Sequence, residues 1–275
     1  MLPNVTMKRP DRRVSLAIAG VCALAMVFFE YYPIDYSTDE VLSSIIKMVI
    51  TRGLGSVMFT VILFYLGYRV HNFSRIWRSL AYCLPCFAVV INNLPIVALI
   101  CGTAQVVKPV LYVFLFALEC LLIGVFEETA FRGAVMLIML EKRRASTRQI
   151  FMVVVASSAV FGGIHLLNLL AGAGIGPTLQ QVGYSFLIGG MCAAVVLKTR
   201  NIWLAALLHG IFDFCGFLLP TLGEGSWWDT PTIIITVLLA VAVTAYICLS
   251  LWRLKPEDVS EIFSQKENDN VQNRN

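Results

Sequence analysis

Two adjacent glutamates interrupt an apolar stretch of the chain that is long enough to cross a lipid bilayer. Glu127 and Glu128 follow the apolar run 121–126, and Arg132 comes four residues after the second glutamate. A charged side chain at the centre of a membrane helix costs roughly 2.5–3.5 kcal/mol even on a lenient insertion scale. Because such a cost is tolerated mainly where the charge is needed, this cluster predicts a functional site within the membrane.

The composition of the chain predicts an integral membrane protein. Of its 275 residues, 58% are hydrophobic and 14% are charged, and the mean hydropathy is +0.78. A soluble domain has about 25% charged residues. Apolar segments of about 18 residues or more indicate membrane-spanning helices, so the sequence predicts an all-α, polytopic bundle of about eight transmembrane helices. The predicted spans are 14–32, 49–68, 80–102, 110–130, 150–170, 181–198, 202–219 and 231–252.

Lysine and arginine are distributed unevenly between the two sets of loops that these spans define. Of the 21 basic residues, 17 precede the first span, lie in alternate loops or follow the last span. The opposite loops hold Lys47, Arg52 and Lys108. By the positive-inside rule, both termini are expected in the cytoplasm. The short loops favour a bacterial cell membrane, and the net charge of +4 reflects topology, so no nucleic-acid partner is predicted.

The chain is predicted to form a single integral membrane domain over residues 1–275. The catalytic core is expected at about 110–219, and a mobile polar tail at about 255–275. All eight cysteines fall in apolar segments, so no disulfide framework is indicated. Cys83 and Cys86 have the spacing of a redox or metal-binding pair, but packing in an apolar helix is the favoured interpretation.

Two later predicted spans each contain one histidine. His165 closes the sequence Phe-Gly-Gly-Ile-His that starts at Phe161, and His209 is followed four residues later by Asp213. Residues at i and i+4 share a helix face, so His209 and Asp213 are expected to point the same way.

The same spacing predicts an ion pair between Glu128 and Arg132. Glu127 is turned by about 100° on the helix and is expected to remain free, so that it can act as a general base. The alternative is a purely structural ion pair that fixes helix packing.

Glutamate, histidine and aspartate side chains in such a set can support several kinds of chemistry. They could bind a catalytic zinc ion, activate a water molecule without a metal, or relay protons in a transporter. No serine or cysteine stands beside a histidine within these motifs, so a covalent nucleophile is not indicated. The residues alone leave zinc binding, metal-free water activation and proton relay open.

The three motifs resemble those of the CPBP family of intramembrane proteases, which includes CAAX prenyl proteases and bacteriocin-processing proteins. Glu-Glu-x-x-x-Arg, Phe-x-x-x-His and His-x-x-x-Asp occur in that order on successive predicted helices, across residues 127–213. The resemblance implies a glutamate-type endopeptidase that acts on a membrane-associated peptide or protein within the lipid bilayer. It also favours activation of water without a cofactor, with zinc as the alternative. The site residues that it implies are Glu127 and His165 for water activation, Glu128 and Arg132 for positioning, and His209 and Asp213 for the oxyanion.

The sequence departs from the prenyl-protease pattern at Asp213, where that branch usually has asparagine. An ionised aspartate cannot donate a hydrogen bond to an oxyanion. Asp213 is therefore either protonated, or it orients His209 and leaves stabilisation of the oxyanion to the imidazole.

Two other functions compete with proteolysis. One is a non-proteolytic protein of the same fold that serves bacteriocin immunity or binds a partner, and the other is a proton-coupled transporter.

Overall fold

The computed structural model describes residues 12–32, 34–225 and 230–263, which form a bundle of α-helices. The longer helices are α1 (Arg12–Tyr31), α2 (Glu40–Leu66), α3 (Ile76–Ile91), α5 (Val110–Glu128), α7 (Thr147–Ile164), α8 (Ile175–Thr199), α9 (Ile202–Leu222) and α10 (Thr230–Trp252). The short helices are α4 (Ile96–Ile100), α6 (Leu137–Glu141) and α11 (Pro256–Ser260). Two three-residue strands, β1 (Ala104–Val106) and β2 (Gly223–Gly225), pair in antiparallel orientation. The predicted all-α class is confirmed.

Six helical segments of the described chain have the length and apolar composition needed to cross a membrane. They are Glu40–Leu66, Val110–Glu141, Thr147–Leu169, Ile175–Thr199, Ile202–Leu222 and Thr230–Trp252. The apolar helices Ala17–Phe29 and Ile76–Ile91 are shorter, so the membrane bundle is confirmed but the predicted count of eight spans is not. The third predicted span, 80–102, is divided because α3 ends before Pro95, a residue that disfavours helix in the position preceding it.

The charged cluster lies where α5 changes into a π-helical segment. Residues Thr129–Met136 are π-helical and continue directly into α6. Thr129 Oγ1 donates to the carbonyl oxygens of Val125 at 2.7 Å and Phe126 at 3.1 Å. π-Helical turns are rare and are found frequently at functional sites. This one begins directly after Glu128 and contains Arg132, so it sets the direction in which these two side chains leave the helix.

Glycines let α5 approach α9 with backbone against backbone. A Cβ atom on Gly124 would overlap the carbonyl oxygen of Ala206, and one on Gly210 would lie 3.0 Å from the carbonyl oxygen of Cys120. Small residues at membrane helix interfaces permit such close packing. Since Gly210 directly follows His209, this approach brings the first and third motifs together.

The segment after α10 packs into the core of the bundle. Val259 and Ile262 are fully buried and Phe263 is 1% exposed, and all three belong to the main hydrophobic cluster. Residues 255–263 of the predicted mobile tail are therefore packed, because these apolar side chains, spaced along an otherwise polar segment, provide a buried face. The remainder of that predicted tail, 264–275, lies outside the described residues.

His71, in the loop between α2 and α3, is expected to make stability depend on pH. Trp203 Nε1 donates to its Nδ1 at 3.0 Å, and its ring stacks on Phe64. Burial lowers the pKa of His71 from 6.5 to about 4. Between these pH values the unfolded chain binds more protons than the folded chain, so stability falls as the pH drops through this window. At about 1.4 kcal/mol per pKa unit, the full loss is about 3 kcal/mol.

Thermal unfolding in detergent between pH 7 and pH 4 would measure this effect. The matched variant is His71→Phe, which keeps a planar ring against Phe64 but cannot titrate. The melting temperature of the parent should fall more steeply with acidification than that of the variant. Parallel curves would show that His71 does not cause the dependence.

Candidate functional site

A cavity of about 840 Å³ lies among α2, α5, α7, α8 and α9. Four of the six predicted site residues line it: Glu127, His165, His209 and Asp213. Much of the remaining wall is formed by aromatic and aliphatic side chains. An apolar cavity with a few convergent polar groups is the usual form of a small-molecule or catalytic site. The structure thus brings residues of all three motifs, which are far apart in the sequence, to one accessible space.

His209 stands at the centre of the polar side chains. Its Nδ1 donates a hydrogen bond of 2.7 Å to Glu128 Oε1, because a carboxylate can only accept. Its Nε2 lies 3.6 Å from Glu127 Oε2 and 3.6 Å from Asp213 Oδ2. The sequence-based expectation that Glu127 has no partner is therefore wrong, since the backbone contact of α5 with α9 places the His209 ring beside it.

Glu128 and Arg132 form a buried ion pair behind the cavity wall. Arg132 Nη1 lies 2.9 Å from Glu128 Oε1, as the i,i+4 spacing predicts. Glu128 is fully buried and Arg132 is 1% exposed, and neither residue lines the cavity. The guanidinium carbon lies 4.2 Å from the centre of the Phe161 ring. The pair therefore fixes the carboxylate that holds His209 and has no direct access to the cavity.

His165 begins the 3₁₀ helix His165–Leu169, which follows α7. Its Nδ1 lies 3.0 Å from the carbonyl oxygen of Phe161, so Nδ1 is the donor and Nε2 is left for other contacts. The Phe161 ring meets both histidine rings edge to face, with centroids 5.4 Å from His165 and 5.7 Å from His209. The first residue of the second motif is therefore a spacer between the two imidazoles. The joint role of Glu127 and His165 in water activation remains a prediction.

Within the described residues, no group of three or more histidine, cysteine, aspartate or glutamate side chains is arranged to hold a metal ion. Cys83 and Cys86 are fully buried in α3, in the main hydrophobic cluster of the bundle. Their packing role, favoured from the sequence, agrees with this position.

The cavity also contains polar residues outside the three motifs. Glu119, which is 9% exposed, and Arg52 both line it. Lys47 and Arg52 were counted with the loops from the sequence, but both lie inside α2. Lys47 is helical because α2 begins nine residues before the predicted span 49–68, and Arg52 falls within that span itself. The sequence does carry a signal for Arg52, since it interrupts an apolar segment.

Neutral polar residues form another part of the wall. Asn168 and Gln181 both line the cavity, and Asn168 Nδ2 donates to Gln181 Oε1 at 2.8 Å. Tyr184 and Ser185 lie nearby on α8 and also line it. Single neutral polar side chains are common in membrane helices, so nothing in the sequence distinguishes these four.

Comparison with known proteins gives one match. Residues 109–215 match the model of a family described as type II CAAX prenyl endopeptidase Rce1-like. The matched segment is less than half of the chain, but it contains all six predicted site residues. No curated protein and no solved structure shows a significant match.

Proposed function

We propose that this membrane protein is an intramembrane protease that carries out the following reaction. The match of residues 109–215 to a CAAX-type protease family supports this proposal and agrees with the resemblance to CPBP proteases. The protein hydrolyses a peptide bond of a membrane-associated peptide or protein with a water molecule activated inside the bundle. The observation that carries this proposal is the convergence of Glu127, His165, His209 and Asp213 on one intramembrane cavity.

Glu127 is the proposed general base. Its carboxylate lines the cavity and, unlike Glu128, has no arginine within ion-pair distance among the described residues. It accepts a proton from the attacking water and later returns it to the leaving amine. His165 Nε2 orients this water, since its Nδ1 is occupied by a backbone carbonyl. General base catalysis of this kind contributes roughly 100- to 10,000-fold to the rate.

His209 is the proposed donor to the oxyanion. Its Nδ1 proton is donated to Glu128. A neutral imidazole has only one N–H group, so His209 must be protonated to donate a second hydrogen bond from Nε2. Glu127, Glu128 and Asp213 surround the ring and supply the negative charge that balances such a cation. Asp213 then acts as an orienting and balancing group and does not donate to the oxyanion itself.

Proteolysis can be tested with the purified protein in lipid vesicles and a library of membrane-associated peptides. Mass spectrometry should detect pairs of fragments whose masses sum to one peptide plus one water. Vesicles without protein are the control. If no such pair forms while the protein remains folded, proteolysis is refuted, and a non-proteolytic immunity or binding role gains support.

The two residues of the third motif should differ strongly in their effect on the rate. His209→Ala removes the proposed donor, and loss of one oxyanion donor costs about 100- to 1000-fold in rate. Asp213→Asn keeps a polar group of the same size beside His209 and should retain much of the activity. A pH–rate comparison of the parent and both variants on one substrate measures the difference.

The comparison requires that both variants remain folded, which thermal unfolding in detergent can establish. If Asp213→Asn is as inactive as His209→Ala at every pH, the carboxylate itself is required. The oxyanion role of the third motif would then be wrong, and Asp213 would act as a proton acceptor or a metal ligand.

A further inference from the structure

We propose that Arg52 binds a carboxylate group of the substrate and thereby selects which peptides the cavity accepts. This inference rests on the proposed function, because it assigns a substrate class to the same cavity. Arg52 belongs to none of the three motifs, and it lies outside the segment that matches the protease family.

Arg52 lies at a position where a charged side chain is energetically unfavourable unless it has a function. It is the thirteenth of the 27 residues in α2, and is therefore at the middle of a helix that is long and apolar enough to span a membrane. An arginine at that depth costs roughly 2.5–3.5 kcal/mol on the lenient insertion scale. Charged residues at such positions usually face a cavity and mark a substrate pathway.

The contacts of Arg52 leave its guanidinium available. The side chain is partly exposed and lines the cavity. Among the described residues, no acceptor forms a hydrogen bond with it and no carboxylate lies within 4 Å. Its guanidinium carbon lies 5.6 Å from the centre of the Phe126 ring. Arg132, the other intramembrane arginine of the site, is fully buried against Glu128, so only Arg52 can meet a ligand.

Arg52 lies in the same cavity as the reacting groups. Phe126 directly precedes Glu127, and all three residues line the same cavity. The other lysine and arginine side chains of the described chain do not line it. A peptide positioned for hydrolysis beside Glu127 therefore shares the cavity with the guanidinium of Arg52, in addition to the proposed His209 cation. Arginine matches a carboxylate because its planar guanidinium donates two parallel hydrogen bonds.

Glu119 offers the alternative explanation, in which Arg52 only balances a buried acid. The two residues share the cavity and their opposite charges interact, but among the described ion pairs their charged atoms do not approach within 4 Å. A carboxylate placed in the cavity for balance alone would gain most by direct contact, because the attraction between charges weakens with distance. The separation leaves the guanidinium free for a carboxylate of the substrate, either at its C-terminus or on an acidic side chain.

A binding experiment can test this independently of catalysis. Glu127→Gln protein in phosphatidylcholine vesicles is incubated with a library of lipid-anchored peptides in three matched forms. The forms have a free C-terminal carboxylate, a C-terminal amide, or a C-terminal amide with one internal glutamate. Retained peptides are quantified by mass spectrometry. We expect one carboxylate-bearing form to be retained about 10- to 100-fold better than the plain amide, and its identity tells which source of carboxylate is used.

The variants separate recognition from charge balance. Arg52→Gln in the same background should abolish the preference for the carboxylate, and Arg52→Lys should retain part of it. Glu119→Gln should leave the preference intact or increase it, because it removes a negative charge. If Arg52 only balances Glu119, the variant that combines Arg52→Gln with Glu119→Gln should bind like the Glu127→Gln background, and neither should prefer a carboxylate.

Equal retention of the three forms, retention of none, or an undiminished preference in folded Arg52→Gln would overturn the inference. Cleavage by the parent is scored separately. A preference for the carboxylate that depends on Arg52, without cleavage, would support carboxylate binding and refute proteolysis. Cleavage without this preference would support proteolysis and refute carboxylate binding by Arg52. Thermal unfolding of each variant in detergent confirms that the protein is intact.

Discussion

Glu127→Gln should reduce peptide cleavage by roughly 100- to 10,000-fold, the range lost when a general base is removed. Glutamine has the size of glutamate but cannot take up the proton of the attacking water. The fold should survive, because Glu127 is only partly buried, and its closest charged contact is His209 at 3.6 Å. The measurement is kcat/KM on a peptide that the parent cleaves, together with the melting temperature in detergent.

Glu119→Gln is the matched control for this result. Glu119 lies on the same helix two turns earlier, lines the same cavity and is also an acid. Among the described residues it forms no hydrogen bond or ion pair with His209 or Asp213, whose contacts are with other side chains, so its neutralisation should change kcat/KM much less. If the folded Glu127→Gln variant cleaves the peptide at the normal rate, Glu127 is not the general base. Equal losses in the two variants would indicate a general effect of cavity charge.

Much of this fold is predictable because the hydrophobic signal of a membrane helix is strong. Predicted segments such as 181–198 and 231–252 fall within α8 and α10. The errors lie where local features outweigh hydropathy. Asn92 to Pro95 divide the third predicted span, and three apolar side chains bury the start of the presumed tail.

The candidate site was predictable only in part, for a physical reason. The i,i+4 spacing reports contacts along one helix, so it identifies Glu128 with Arg132 and His209 with Asp213. It carries no information on contacts between helices. The hydrogen bond from His209 to Glu128 depends on the glycine contacts of α5 with α9, and the role of Arg52 depends on which face of α2 meets the cavity.

Arg132→Met is expected to destabilise the protein by about 3–5 kcal/mol, the cost of breaking a buried ion pair from one side. Methionine can fill much of the space beside Phe161, but it leaves Glu128 without its cation in a fully buried position. Activity should fall as well, because Glu128 holds the His209 ring. Thermal and denaturant unfolding in detergent measure the loss of stability.

Two further variants identify the cause of the expected loss. Glu128→Gln/Arg132→Met removes both charges, so it should recover much of the stability, since replacing a whole buried pair is often close to neutral. Arg52→Met removes the other intramembrane arginine of the site, which has no ion pair among the described residues, and should cost little. If Arg52→Met is as harmful as Arg132→Met, or if the double variant is no better than the single one, the ion pair is not the origin of the effect. The penalty would then come from the space that Arg132 fills between Phe161 and Gly189, where a guanidinium nitrogen lies 2.8 Å from the position of an added Cβ atom.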